Sequence, residues 1–412
     1  MSDPEHVPLD SGRNGTEEIG EQTAQSVPKQ SQVRGIKTMK VGISLLIAKA
    51  NRTGLENVAL NLIEQLSKMD TDDEFVIYAN TRNLPWLSTI SHRMRVVDVR
   101  LCPQRAMWFW EHLFFLTDRR TKEVDIVHFP ISGGVVGYQG KFVLTLHDLK
   151  HYLYRDLVLL RRHLLWRVWC KLNTRKAAKI ITVSEYVKKQ ILREFPVHSA
   201  DIHVIANGVD KRFRPCAKTQ AFREKYQLPE RYVLFVGQTS TNKNIRRAID
   251  AMNLVCKSHK TDHCFVIAGM PGEADADLRA YVRNSHLEKM ILFLGYVDDN
   301  DLPQLYSNAA LFLFPSITEG FGIPPLEAMR CGIPVVAARA SSMPEVLGDA
   351  AIWVDPLSVD SIAEGINTGL LDQNARNRAI ARGLFRAEQF SWEKMALETM
   401  KVYREATVSL QK

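Results

Sequence analysis

In TEGFGIPPLEAMRCGIPVV (318–336) two glutamates, Glu319 and Glu327, bracket a loop of glycines and prolines that opens a short helix. Pro324 and Pro325 suit the first helical turn, where a missing N–H costs nothing. Gly332 with Pro334 stops the helix. Gly320 and Gly322 let ligand atoms approach the backbone closely, and the free N–H groups at the helix start form an anion site. Glu327, one turn inside, can present two acceptors to a vicinal diol. Glu319, ahead of the helix, lies near whatever the anion carries. A ribose diol, a phosphate and a second polyol are the parts of a nucleotide sugar. Either glutamate alone would serve as well as a partner for the helix dipole, contributing under ~1 kcal/mol. A carboxylate pair also suits a double-displacement glycosidase, but two groups tied to one loop–helix unit read as binding groups.

The elements around this stretch decide between these readings. Short apolar runs of strand length recur at 40–47, 74–79, 125–130, 141–148, 179–184 and 201–210, and a second series begins at 231–238. Helical periodicity lies between them: in LENVALNLIEQLSKM (55–69), residues Leu55, Val58, Ala59, Leu62 and Leu66 share one face. Continuous apolar strands alternating with helices predict parallel sheets covered on both faces. The expectation is an α/β chain of two doubly wound domains, 39–212 and 213–389, joined near 211–230. Ligands of such sheets bind at the carboxyl ends of strands. His147 follows FVLTL, Lys243 lies in GQTSTNKN after YVLFV, Val297 follows ILFL, Glu319 follows LFLFPS, and Gly54 stands between the first strand and its helix. A fixed cation such as Lys243 would stabilise charge building on a diphosphate leaving group. On its own it would read as a solvated loop lysine, and His147 as a structural histidine.

At 412 residues the chain exceeds one hydrophobic core. Its six scattered cysteines, without a C-x-x-C pair, point to reduced thiols in a cytoplasmic compartment, not to disulfides or zinc. No run of 18 apolar residues and no signal-peptide h-region is present. Residues 1–38, rich in Ser, Gly, Gln, Glu and Pro, read as a disordered tail, and Met39 is an alternative start. Charge is uneven: residues 39–212 carry 27 basic and 17 acidic side chains, whereas 213–412 carry 23 of each. The first half therefore expects an acidic neighbour. Residues 150–176 hold eight basic residues against one acidic, interleaved with Leu, Trp and Tyr. Such a stretch can lie on an anionic membrane surface or be a core-facing helix with a solvated edge. No nucleic-acid-binding motif accompanies the charge. The acidic runs DAD (275–277) and DDND (298–301) precede helices, where the dipole explains them, and no metal is expected.

The pattern E-x(7)-E followed by AMRCGIPVV resembles the signature of glycosyltransferase family 4, retaining enzymes of the GT-B fold. TGLENVALNLIEQL, LTLHDL, IITVSEYVKKQI, VIANGVD, VLFVGQTSTNKN, LGYV and FSWEKMA occur with it, and the likeness runs over most of 39–405. The resemblance implies a hexose, such as mannose, moved from a nucleotide-diphosphate sugar to a glycan or lipid-linked acceptor with retention, without cofactor or metal. It implies Glu327 on the donor ribose, Glu319 beside the donor sugar, and amides of Gly320, Phe321 and Gly322 on the sugar and distal phosphate. Lys243 would neutralise the diphosphate, Gly54 would let its loop close over it, His147 would bond the sugar from the opposite domain, and backbone near Val297 would touch the base. A final helix within 390–412 would return to the first domain. Many members carry two basic residues where this chain has Gln238 and Lys243, so Arg246 or Arg247 substitutes, or amides do the work. A nucleotide-sugar epimerase of the same fold and a catalytically silent binding protein remain as alternatives.

Overall fold

The computed structural model describes residues 38–48, 54–82, 84, 87, 94–99, 107–131, 134–150, 160–259 and 261–408. The readings for 1–37 and 151–159 fall outside them.

The first sheet holds β1 (Lys40–Ser44), β2 (Glu74–Ala79), β3 (Met94–Asp98), β4 (Ile126–Phe129), β5 (Phe142–Leu146), β6 (Lys179–Thr182) and β7 (Ile202–Val204). The second holds β8 (Tyr232–Val236), β9 (Cys264–Ala268), β10 (Ile291–Gly295), β11 (Leu311–Phe314), β12 (Val335–Ala338) and β13 (Ile352–Val354). Among the first-domain helices are α1 (Gly54–Lys68), α2 (Met107–Thr117), α3 (Leu160–Lys176) and α4 (Glu185–Glu194). The second domain carries α5 (Gln220–Lys225), α6 (Ile245–His259), α7 (Asp275–Asn284), α8 (Leu302–Asn308), α9 (Ile323–Arg330), α10 (Met343–Leu347), α11 (Val359–Leu371) and α12 (Gln373–Glu388), and α13 (Trp392–Val408) ends the fold.

Both sheets are parallel, ordered β3-β2-β1-β4-β5-β6-β7 and β10-β9-β8-β11-β12-β13. Chain direction across each sheet reverses once, between β1 and β4 and between β8 and β11. Crevices of open α/β sheets form at these reversals. The central strands are wholly or almost wholly buried, as in FVLTL of β5 and LFLF of β11. This is why they read as unbroken apolar runs rather than alternating ones.

The expected strand 201–210 is shorter, only Ile202–Val204. Its remainder becomes the crossing into the second domain, where Val209 N–H donates to the Phe390 carbonyl at 3.3 Å. Gly208 lies so close to the returning chain that a Cβ there would sit 2.2 Å from the Trp392 nitrogen. Lys211 and Glu393 pair at 2.5 Å across the two crossings.

After the return, α13 packs on the first sheet. Trp392, Met395, Met400 and Tyr403 join the core that contains Val41, Ile43 and Val143. The Tyr403 hydroxyl meets His128 Nδ1 at 2.7 Å, while His128 Nε2 meets the Thr145 hydroxyl at 2.7 Å. Complete burial pushes the His128 pKa down to about 3, so the imidazole is neutral and acts as a structural bridge.

Candidate active site

The loops after β8 and β11 flank the reversal of the second sheet and lie against each other. After β8, Thr241–Lys243 forms one 3-10 turn ending in Asn244, which has a left-handed backbone. The Asn242 side-chain amide donates to the Thr318 carbonyl at 3.0 Å, and the Asn242 backbone carbonyl accepts from Ile317 N–H at 2.9 Å. This weld brings Lys243 Nζ to 2.5 Å from Glu319 Oε1, with both side chains mostly buried. Residues 76 apart in sequence thus form one ion pair.

Glu319 is fixed from behind. Its N–H donates to the Ser341 hydroxyl at 3.0 Å, and the Ser342 hydroxyl donates to its carbonyl at 3.0 Å. The chain then makes a narrow passage. A Cβ on Gly320 would lie 1.9 Å from the His147 carbonyl oxygen, so only glycine lets the two domains meet there. The Ser184 hydroxyl, N-cap of α4, donates to the Gly320 carbonyl at 2.7 Å. Gly322, in the left-handed region at φ 88°, caps α9 without a side-chain bond, and prolines occupy the first turn. The Phe321 ring turns away and meets Phe390 edge-on at 5.7 Å, so only its amide can face a ligand.

Glu327 sits inside α9, where its Oε2 accepts from the Tyr306 hydroxyl at 2.8 Å. Burial pushes its carboxyl up to about 7, against the opposing influence of Tyr306 and the Arg212 charge, while Asp299 and Asp210 push the same way as burial. Near neutrality it is therefore poised between acid and carboxylate.

On the facing domain, His147 Nε2 lies 2.8 Å from the Pro130 carbonyl. A carbonyl only accepts, so Nε2 carries the proton and Nδ1 keeps a lone pair. Burial lowers the His147 pKa, with the Pro130 bond and the Asp148 charge opposing, so the ring is neutral at pH 7. Asp148, Lys150, Tyr186, Asn242, Glu319 and Gly320 line the narrow space between the domains. Gly54 opens α1 with no atom within 4 Å of where a Cβ would stand. Val297 is buried in the second core, two residues after Gly295 with φ 75°.

Both helix arginines have partners on their own side of the second domain. Arg246 stacks 3.1 Å from the Tyr281 ring centroid and lies 3.7 Å from Asp250, and Arg247 donates to Asn244 at 2.9 Å. The acidic runs also have partners. Asp275 takes the Thr239 hydroxyl and Arg279, and Asp301 takes Lys225 and Tyr226. Among the described residues no group of three or more His, Cys, Asp or Glu could hold a metal.

Two contributors were not read from sequence. Glu345, on α10, accepts from Glu185 N–H at 2.7 Å and Tyr186 N–H at 3.2 Å, capping α4 across the cleft. Ser184 joins it from the end of VS at 183–184. Position 184, after a strand, was a readable signal, whereas Glu345 carried none.

Comparison with known proteins adds to this geometry. The family described as Glycosyltransferase Family 4 matches residues 52–213, and that described as Glycosyl transferases group 1 matches 218–384. O-antigen chain mannosyltransferase B of Escherichia coli is 39% identical over 231 residues, 55% of this chain and 61% of the relative. O-antigen chain mannosyltransferase RfbU of Salmonella typhimurium is 32% identical over 220 residues, 52% of this chain and 56% of the relative. The chain spans about three fifths or less of the length of such curated relatives. Among solved structures, sucrose-phosphate synthase of Thermosynechococcus elongatus superposes with TM-score 0.74 at 19% identity, covering 89% of this chain and 98% of that one. HepE of Anabaena, solved with UDP and glucose, gives 0.69 at 18%, covering 89% and 99%. These likenesses establish the GT-B fold. With one family description on each domain, in the order the fold displays, the chain belongs to the group 1, family 4 glycosyltransferases.

Proposed function

We propose that this chain transfers a hexose from a nucleotide-diphosphate sugar to a glycan or lipid-linked acceptor with retention, and that the hexose is mannose. The observation that carries the reading is the Lys243–Glu319 pair, set at the reversal of the second sheet beside the amides that open α9. An incoming diphosphate is a stronger partner for Lys243 than one carboxylate is. On binding it takes the lysine and frees Glu319 to accept hydrogen bonds from the sugar. Charge then building on the departing phosphate meets Lys243 and the amides of Gly320, Phe321 and Gly322. Glu327, as carboxylate, holds the ribose diol. His147 Nδ1 accepts from a sugar hydroxyl, and Gly54 leaves room for its loop over the diphosphate. Backbone beside Val297 meets the base. The mannose assignment draws on the relatives named above.

The domain reading goes with it: 39–212 on the acceptor side, 213–389 on the donor side, and the terminal helix bound to the first. The basic surplus of the first domain favours a cytoplasmic protein resting on an anionic membrane face, where a lipid-linked acceptor would be met. No helix among the described residues is long and apolar enough to cross a membrane.

The test is a panel of nucleotide sugars, including GDP-mannose and UDP-glucose, assayed with lipid-linked acceptor for nucleoside diphosphate release, with the product anomer read by NMR. Retained configuration in a mannosylated product is expected. Sugar interconversion without acceptor would mean an epimerase, and tight binding without turnover a silent binding protein.

A further inference from the structure

The helix α2, MWFWEHLFFLT, has no part in the cleft as described and an unusual outer surface. Trp108, Phe109, Leu113 and Leu116 lie on one face and are 40–56% exposed. The helix's single acid, Glu111, is fully buried, with its Oε1 accepting from the Ser44 hydroxyl at 2.6 Å. Beside α2 lies α3, joined to it by His112. The His112 Nδ1–H donates to the Trp108 carbonyl at 2.9 Å, and its Nε2 accepts from the Trp169 indole at 3.2 Å. Burial holds this imidazole's pKa below its usual value, consistent with that single tautomer. The Trp108 and Trp169 rings stand 6.2 Å apart, which makes the two helices one surface.

The outward face of α3 over 166–176 continues that surface. Val168 and Leu172 are about half exposed, at 52% and 45%, and Lys171 and Arg175 flank them at helical spacing. Residues 166–176 contain no acid. Most of the basic side chains in 150–165 lie outside the described residues.

Soluble proteins rarely leave a contiguous apolar patch uncovered. A soluble acidic protein would match the basic residues but would not require four apolar side chains on a neighbouring helix bare of exposed acid. A bilayer with anionic headgroups matches both halves: aromatic and aliphatic side chains enter the interface while lysine and arginine meet phosphates. We propose that α2 and α3 form a docking face for an anionic bilayer, with α2 as the part that inserts. The inference rests on the reading of an acceptor met at a membrane and adds to it an apolar, salt-resistant component that charge alone would not provide.

The test uses the full chain and vesicles of neutral phosphatidylcholine with or without anionic phosphatidylglycerol, at low and high salt. Neither donor nor acceptor is added, so its failure leaves the sugar-transfer reading standing. Wild-type protein is expected to sediment with anionic vesicles, retain part of that binding at high salt, and show a blue-shifted tryptophan emission. Phe109→Ser with Leu116→Ser should lower binding about tenfold and remove the high-salt remainder. Lys171→Gln with Arg175→Gln should weaken only the low-salt binding, about fivefold per charge. The exposed positions chosen keep the variants foldable, which circular dichroism checks. Absence of vesicle binding at low salt, or binding indifferent to the serine pair, overturns the proposal. So does light scattering that shows a dimer converted to monomer by the serine pair, since the face would then belong to a second copy.

Discussion

On the second-domain side of the cleft, Lys243, Glu319 and Glu327 are each held by a partner, and each partner comes from a different loop or helix. On the first-domain side, next to Gly320, stand the His147 carbonyl and its neutral imidazole held by the Pro130 carbonyl, with Asp148 and Lys150 lining the same space about one-third exposed. The first domain nevertheless carries the chain's surplus of positive charge. The difference shows that a domain's net charge and the charge it sets in a crevice are separate properties. The domain that is neutral overall concentrates a few ionised groups in a partly dry crevice, where they act strongly. The visible basic side chains of α3 in the other domain face solvent, where each is worth little singly and matters in number.

The largest effect expected from breaking this contrast is at Glu319. Glu319→Ala should lower kcat on the order of a hundredfold or more and leave donor KM within about threefold. Binding of free nucleoside diphosphate should tighten, because Lys243 loses its competing carboxylate. Steady-state kinetics with calorimetry of the diphosphate separates these, and unchanged turnover would remove Glu319 from the site.

Next comes Glu327. Its folded-state pKa of about 7 lies above the ordinary 4.5, so the folded protein holds a proton the unfolded chain releases. This group's stabilising contribution is complete below 4.5 and is lost as pH rises through 7. Donor binding runs the other way, since only the carboxylate offers acceptors to both ribose hydroxyls. Donor affinity should rise between pH 6 and 8. Glu327→Gln should flatten that profile and cost about tenfold in affinity.

A smaller effect is expected where the domains touch. Removing the Glu345 carboxylate leaves two α4 amides uncapped. Glu345→Ala should raise donor KM a few-fold and speed hydrogen exchange at the amides of Glu185 and Tyr186, by about tenfold. Protection unchanged at those two amides would mean the contact carries no closure energy.

The smallest effect on catalysis is predicted for Tyr403→Phe. It should cost about 1–2 kcal/mol of stability through the lost bond to buried His128, visible as a lower Tm with kcat unaltered.

Much of the fold was legible because buried parallel strands are apolar throughout. The exceptions have physical causes. Strand β3, MRVVD, is an edge with an exposed Arg95, and β13 is a three-residue edge. Helix α2 is apolar on nearly every side and so gives no period. The 201–210 run was too long because a crossing between domains is as apolar as a strand when Gly208 packs under Trp392. In the site, residue types after strand ends were readable from spacing. Their partners were not. Lys243 meets Glu319 only because β8 and β11 are neighbours in the sheet, and Glu345 meets α4 from 160 positions away.

The helix that closes the first sheet has a consequence for biosynthesis. Tyr403 lies 275 positions beyond its partner His128, with the whole second domain between them. As the chain leaves the ribosome, the first sheet forms with α1 covering only part of one apolar face. The rest of that face stays open until Met395, Met400 and Tyr403 have emerged. The domain made first is therefore completed last. During that interval an uncovered hydrophobic surface is offered to chaperones and to neighbouring nascent chains, whereas the second domain, enclosed by its own helices, can mature while translation continues.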